Sequence, residues 1–95
     1  MESKNILQEA SDLVYGGQRQ HDYGHPRENF ARIASLWNGY FEAQGSNFRV
    51  TPAQTSDLML LLKMARIMNS PDHRDSYIDM AGYVATRARC QGVDD

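Results

Sequence analysis

The stretch Asp57-Leu-Met-Leu-Leu-Leu-Lys-Met-Ala-Arg-Ile-Met68 decides the fold, because it predicts a helix that is apolar on nearly all sides. Such a helix is expected to be covered on most sides by other elements. Lys63 and Arg66 interrupt it one turn apart and therefore share a face. A buried charge is costly unless it is paired or reaches water. The rest of the chain is expected to cover this helix and to supply partners for its two cations.

The overall composition is that of one ordinary globular domain. The chain has 95 residues, of which 41% are hydrophobic and 23% charged. Its net charge of -2 gives no reason to expect a DNA or RNA surface. No apolar run is long enough to span a membrane and the N-terminus lacks a signal-peptide core, so a cytoplasmic location is expected. The single cysteine, Cys90, excludes an internal disulfide and a cysteine-rich zinc site.

Hydrophobic periodicity predicts an all-α domain over residues 1–95, with helices at about 3–15, 26–43, 52–69 and 72–90. Ser3 is expected to cap the first helix, and Gly16-Gly17 to end it with positive φ angles. Thr51-Pro-Ala-Gln54 predicts a capping box with proline at the first helical position.

The apolar faces of these helices exceed what one small chain can hide. The second helix carries an aromatic stripe at helical spacing: Phe30, Ile33, Ala34, Trp37, Tyr40 and Phe41. The last helix carries a thinner apolar stripe, in which Gly82 suggests a close helix contact: Ile78, Ala81, Ala85 and Ala88. We therefore expect a homo-oligomer in which a second copy covers the excess.

The charged residues of the last two helices allow two interpretations. The short break at residues 69–71 makes these helices antiparallel neighbours, which brings Lys63 near Asp79 and Arg66 near Asp75. The first interpretation is a pair of interhelical salt bridges that hold the register. The second is a ligand site that includes Tyr83, because Asp75, Asp79 and Tyr83 follow one another at intervals of four residues.

A polar segment before the second helix favours the ligand site. Residues 18–26 lack apolar periodicity and are expected to form a loop. The polar residues of this segment and the charged residues of the last two helices together suit a nucleotide. Their cations can bind phosphate, their carboxylates can bind ribose or a metal, and an aromatic ring can stack on the base. The residues of this predicted site are Tyr23, Gly24, His25, Asn29, Lys63, Arg66, Asp75, Asp79 and Tyr83. A zinc site at His21, Asp22 and His25 is not expected, because neither a cysteine nor a glutamate supports the two histidines.

Several separated motifs resemble a family of small phage and prophage proteins that are often labelled MazG-like. These motifs are Tyr23-Gly24, His25-Pro-Arg-Glu-Asn-Phe30, Trp37, Leu-Leu-Lys63-Met-Ala-Arg66 and Asp75-Ser-Tyr-Ile-Asp79-Met-Ala-Gly-Tyr83. They occur in order over nearly the whole chain. The resemblance implies an all-α, MazG-like arrangement that usually oligomerises.

MazG-type pyrophosphohydrolases are similar in helical layout and use magnesium to cleave nucleoside triphosphates. Their metal lies between a Glu-x-x-Glu pair and a Glu-x-x-Asp pair on two packed helices. This sequence departs from that pattern, because Lys63 and Arg66 stand where acids are needed. The last helix offers Asp75-x-x-x-Asp79 instead. An enzyme would have to use Asp75, Asp79 and either Glu28 or Asp57 to hold Mg²⁺.

Three hypotheses follow from these patterns. The first is a non-catalytic phage protein that sequesters a phosphate-bearing nucleotide, such as a cyclic nucleotide signal of host immunity, and needs no cofactor. The second is a magnesium-dependent nucleoside triphosphate pyrophosphohydrolase. The third is a structural or protein-interaction module in which the charges form only salt bridges.

Overall fold

The computed structural model describes residues 3–17, 21–22 and 24–95. Four helices of ten or more residues run through these ranges: α1 (Ile6–Tyr15), α2 (Pro26–Ala43), α3 (Pro52–Asn69) and α4 (Arg74–Cys90). None of the described residues is in a strand, which confirms the all-α prediction. No helix in the described part of the chain is long and apolar enough to cross a membrane.

Side chains that cap the helices determine where two of them begin. The predicted capping box is present in α3, where Thr51 and Gln54 each accept a hydrogen bond from the other's backbone N–H. A second capping box starts α1, and here Asn5 is the cap instead of the predicted Ser3. Asn5 precedes the first helical residue, whereas Ser3 lies outside the helix, so only Asn5 can reach the free N–H groups of the first turn.

Three other local predictions were wrong. Gly16 has a φ of −67° instead of a positive angle, and the reason for glycine there is space, because a Cβ would lie 2.2 Å from the carbonyl oxygen of Asp12. His21 and Asp22 have helical backbone where a loop was expected. The last helix begins at Arg74, two residues later than predicted, after the N-cap residue His73.

The helices α3 and α4 form an antiparallel hairpin whose contact surface is lined with small polar residues. Thr55, Ser56 and Ser76 are each at most 1% exposed. The Ser56 hydroxyl donates to the carbonyl oxygen of Tyr83 at 2.8 Å, which fixes the register of the two helices. Short side chains allow the two backbones to approach closely, and each buried hydroxyl of this kind requires a partner.

The other face of α4 packs against α1. Gly82 lies opposite Val14, which agrees with the predicted close helix contact. Arg89 donates a hydrogen bond to the carbonyl oxygen of Val14 at 2.9 Å. The predicted alanine stripe of α4 is only partly in the core: Ile78 is buried, whereas Ala81, Ala85 and Ala88 are half-buried. Polar residues take the remaining core positions of α4, namely Ser76, Thr86 and Arg89.

Within one chain, the other helices leave one side of the central helix open, and the cover of this side by a second copy stays a prediction. We call its open side the α3 face: Leu58, Leu61, Leu62, Ala65 and Met68. The four larger side chains of this face are between 39% and 78% exposed. They recur at helical spacing on the side of α3 opposite Ser56 and Lys63, the residues that meet α4. Within one chain, α2 and α4 are the helices that pack on α3, and they leave this side open.

Candidate functional site

A cleft lies where α1, the start of α2 and α4 meet. Its volume is about 110 Å³. Apolar side chains from all three helices form about half of its wall, and an amide, a carboxylate and two hydroxyls contribute polar groups. The lining residues are Leu13, Val14, Gly24, Pro26, Asn29, Phe30, Ile78, Asp79, Gly82, Tyr83 and Thr86.

Four of the predicted ligand residues meet in this cleft, although they come from two distant parts of the sequence. Gly24 and Asn29 flank the start of α2, and Asp79 and Tyr83 lie on one side of α4. Gly24 has a φ of 74°, a left-handed conformation that favours glycine, and it leads the chain into Pro26 at the first position of α2.

Asp79 forms an ion pair with Lys63 of the neighbouring helix α3. The Lys63 ammonium lies 3.0 Å from Oδ2 of Asp79, and the two side chains are 15% and 34% exposed. This is one of the two interhelical ion pairs that the antiparallel arrangement predicted. The aliphatic part of Lys63 is buried between the helices, which keeps its charge close to the carboxylate. Lys63 therefore positions Asp79 at the edge of the cleft.

The second predicted pair is not formed: among the ion pairs of the described residues, none joins Arg66 to Asp75. Positions four apart on a helix are rotated by roughly 40°, so the row from Asp75 through Asp79 moves across α4. Both aspartates consequently border a groove beside α1, but Asp79 also reaches Lys63 of α3. Arg66 is exposed and lines a separate groove with Asn69 and His73.

His25 has a structural task at the start of α2. Its Nδ1 accepts a hydrogen bond from the backbone N–H of Arg27 at 3.0 Å, which makes it the N-cap of the helix. Burial lowers the pKa of the His25 imidazole, and the positive charges of Arg89 and Arg27 lower it further. His25 is not among the residues that line the cleft. Tyr23, also predicted for the ligand site, lies outside the described residues.

Sequence reasoning missed Thr86 and Leu13 as lining residues, and it placed Phe30 only in the aromatic stripe of the second helix. The spacing of α4 contains the information for Thr86, because positions 79, 82, 83 and 86 recur at three- and four-residue intervals and share one side of a helix. Leu13 and Phe30 are recognisable as lining residues only after the packing of α1 and α2 against α4 is known.

The acidic residues of a second groove, beside α1, are mostly paired with cations. Glu9, Asp12, Asp75 and Asp79 border one groove beside α1. Three of these acids have cationic partners: Arg74 for Glu9, Lys4 for Asp12 and Lys63 for Asp79. Within the described ranges, no group of three or more histidine, cysteine, aspartate or glutamate side chains is arranged to hold a metal ion.

Residues 5–91 match the family described as Domain of unknown function (DUF6378), and the chain belongs to that family. It is 48% identical to the Gene 55 protein of Mycobacterium phage D29 over 81 residues, which are 85% of this chain and 50% of that protein. It is 40% identical to the Gene 55 protein of Mycobacterium phage L5 over 91 residues, or 96% of this chain and 55% of that protein.

These relatives confirm the predicted membership of a phage protein family of unassigned function. The chain spans about half the length of the curated relatives it matches. No solved structure matches the chain.

Proposed function

We propose that this protein binds a nucleotide in the cleft and sequesters it without cleaving it. The observation that supports this proposal is the convergence of Gly24, Asn29, Asp79 and Tyr83 on one cleft. The sequence predicts each of these residues as part of a nucleotide site, and they come from two distant parts of the chain. The cleft also combines apolar walls with several polar groups, as small-molecule sites do.

The size of the cleft limits which part of a nucleotide it takes. Pockets that enclose a drug-sized ligand usually measure roughly 300 to 1,000 Å³. At about 110 Å³, this cleft fits a flat base, while the sugar and the phosphates stay at its mouth. The apolar walls would cover the faces of the base, and Asn29, Asp79 and Tyr83 would bond its edge.

The phosphate then needs a cation at the mouth of the cleft. Lys63 is already paired with Asp79, and Arg66 lines a different groove. Arg27 is exposed and directly follows Pro26, a lining residue. We expect Arg27→Ala to weaken binding of a nucleoside monophosphate more than binding of the nucleoside. Arg66→Ala is the matched control and should bind like the parent. A loss of phosphate-dependent affinity in Arg66→Ala alone would instead assign the phosphate to Arg66.

A MazG-like pyrophosphohydrolase remains the second candidate. It requires carboxylates that are free to hold Mg²⁺, but Asp79 is paired with Lys63, and Glu28 is not among the lining residues of the cleft. Pyrophosphate release from nucleoside triphosphates, measured with and without EDTA, separates the two functions. Release that disappears with EDTA and in Asp79→Asn would establish the enzyme, whereas sequestration predicts binding without turnover.

The first experiment is a thermal-shift screen against nucleoside monophosphates, triphosphates and cyclic di- and trinucleotides. A ligand that binds only the folded state at a hundredfold excess over its Kd stabilises the protein by about 2.7 kcal/mol. A shift without added magnesium is the expected result. The screen includes cyclic nucleotides because a phage protein that sequesters nucleotides could capture a cyclic nucleotide signal of host immunity. No shift from any ligand would refute the proposed function.

The exposed α3 face supports a proposal about assembly. We propose that it packs against the same face of a second copy, within a MazG-like oligomer, because its side chains form one apolar stripe without a charge. Leu61→Glu should shift the protein from an oligomer to a monomer by light scattering. Leu36→Glu changes the same residue type at a still more exposed position, on α2, and as the control it should leave the mass unchanged. A monomeric parent protein would refute the proposed assembly.

A further inference from the structure

We propose that the cleft selects guanine, with the Asp79 carboxylate accepting hydrogen bonds from N1–H and the exocyclic amino group of the base. The inference rests on the proposed nucleotide-binding function and specifies its ligand. It follows from which groups at the edge of the cleft donate and which accept.

Asp79 is the one charged side chain among the described residues that line the cleft. An ionised carboxylate only accepts hydrogen bonds, and its two oxygens offer about four lone-pair sites. Lys63 contacts one of these oxygens, Oδ2, from the α3 side. The cation orients the carboxylate, and because it contacts only Oδ2 it leaves acceptor capacity on the carboxylate for a ligand.

Guanine is the common base that complements such an acceptor pair. It places two N–H donors side by side on one edge, at N1 and at the 2-amino group. Adenine and cytosine place an acceptor nitrogen beside their amino group, and uracil places its N–H between two carbonyl oxygens. Each of these bases would put a lone pair against the carboxylate. A site built around hydrogen bonds discriminates strongly against ligands that cannot make them.

The rest of the cleft is compatible with this orientation. Phe30 and Ile78 are buried apolar residues of the wall and would pack against the faces of the ring. Asn29 carries an amide N–H₂ group, the donor that O6 of guanine needs. The sugar would then point out of the cleft, toward the positions where the phosphate meets solvent.

The test is isothermal titration of the full chain with GMP, IMP, AMP and XMP. IMP lacks only the 2-amino group of GMP, and XMP carries a carbonyl oxygen in its place. We expect GMP to bind at least tenfold more tightly than IMP and AMP. In Asp79→Asn the side chain gains a donor, so the preference should move from GMP to XMP. Asp75→Asn makes the same change one turn away, in the adjacent groove, and should keep the preference for GMP.

The possible failures are distinguishable. Equal affinities for GMP, IMP and AMP in the parent protein would overturn guanine selection and leave nucleotide binding intact. An unchanged preference in Asp79→Asn, with a native circular dichroism spectrum, would also overturn it. No binding of any nucleotide would refute the proposed function itself. The comparison of GMP with IMP needs no variant, so it decides the question even if Asp79→Asn does not fold.

Discussion

Gly82→Ala should stabilise the fold and at the same time impair ligand binding. Gly82 lies within α4, where replacing glycine by alanine improves helix propensity by about 1 kcal/mol. The new Cβ would lie 3.5 Å from Cγ2 of Val14, an ordinary van der Waals distance that adds no repulsion. The melting temperature of a domain this small should therefore rise by roughly 4 to 8 °C.

The same methyl group would reduce the space for a ligand. Gly82 and Val14 both line the cleft, whose volume is about 110 Å³. A methyl group is similar in size to a water molecule, so it occupies space in the cleft that a closely fitting ligand needs. One extra carbon in a fitted apolar pocket weakens binding by roughly 10- to 200-fold.

Thermal unfolding and isothermal titration of Gly82→Ala measure the two effects separately. Gly39→Ala is the matched control, because Gly39 lies within α2 and a Cβ there meets nothing within 4 Å. It should gain similar stability and bind the nucleotide like the parent. If Gly82→Ala is more stable and also binds like the parent, the ligand does not occupy this cleft and the reasoning fails.

Three further predictions concern residues that stabilise the helices around the cleft: His25, Ser56 and Gly24. The pKa of His25 is lowered below 6.5 in the folded protein, so the folded state favours the neutral imidazole. The free energy of unfolding should therefore decrease as the pH falls below 6.5 and the unfolded chain binds the proton more readily. His25→Asn keeps a good N-cap and should show a smaller difference in urea midpoint between pH 7.5 and 5.5; an unchanged difference would contradict this. Ser56→Ala removes the buried bond to Tyr83 and should cost about 1 kcal/mol in urea unfolding, and a neutral effect would show that this bond does not stabilise the hairpin. Gly24→Ala forces a side chain into a left-handed conformation and should cost about 1 kcal/mol, whereas Gly24→Asn should cost less; equal losses would contradict the argument from φ.

Local features were predictable from the sequence because they depend on neighbouring residues. The capping box at Thr51 and the bounds of α2 and α3 agree with the structure for this reason. The pair of Lys63 with Asp79 was predictable as well, because a short connection makes neighbouring helices antiparallel.

Features that depend on helix rotation and packing were not predictable. Lys63 and Arg66 are one turn apart but differ by roughly 60° around α3, and only Lys63 points between the helices. A helix that is apolar all round, such as α3, contains no sequence information on which of its sides stays open. The role of Thr86 and Leu13 in the cleft depends in the same way on how α1 and α4 meet.

The most direct test of nucleotide binding in the cleft is a titration of the ¹⁵N-labelled protein with GMP, followed by two-dimensional NMR. The amide signals of Gly24, Asn29, Asp79 and Tyr83 should move together and saturate with a single Kd. Unchanged spectra at millimolar GMP would contradict the account. Shifts confined to Arg66, Asn69 and His73 would contradict it as well, because they would place the nucleotide in the groove beside the α3–α4 turn.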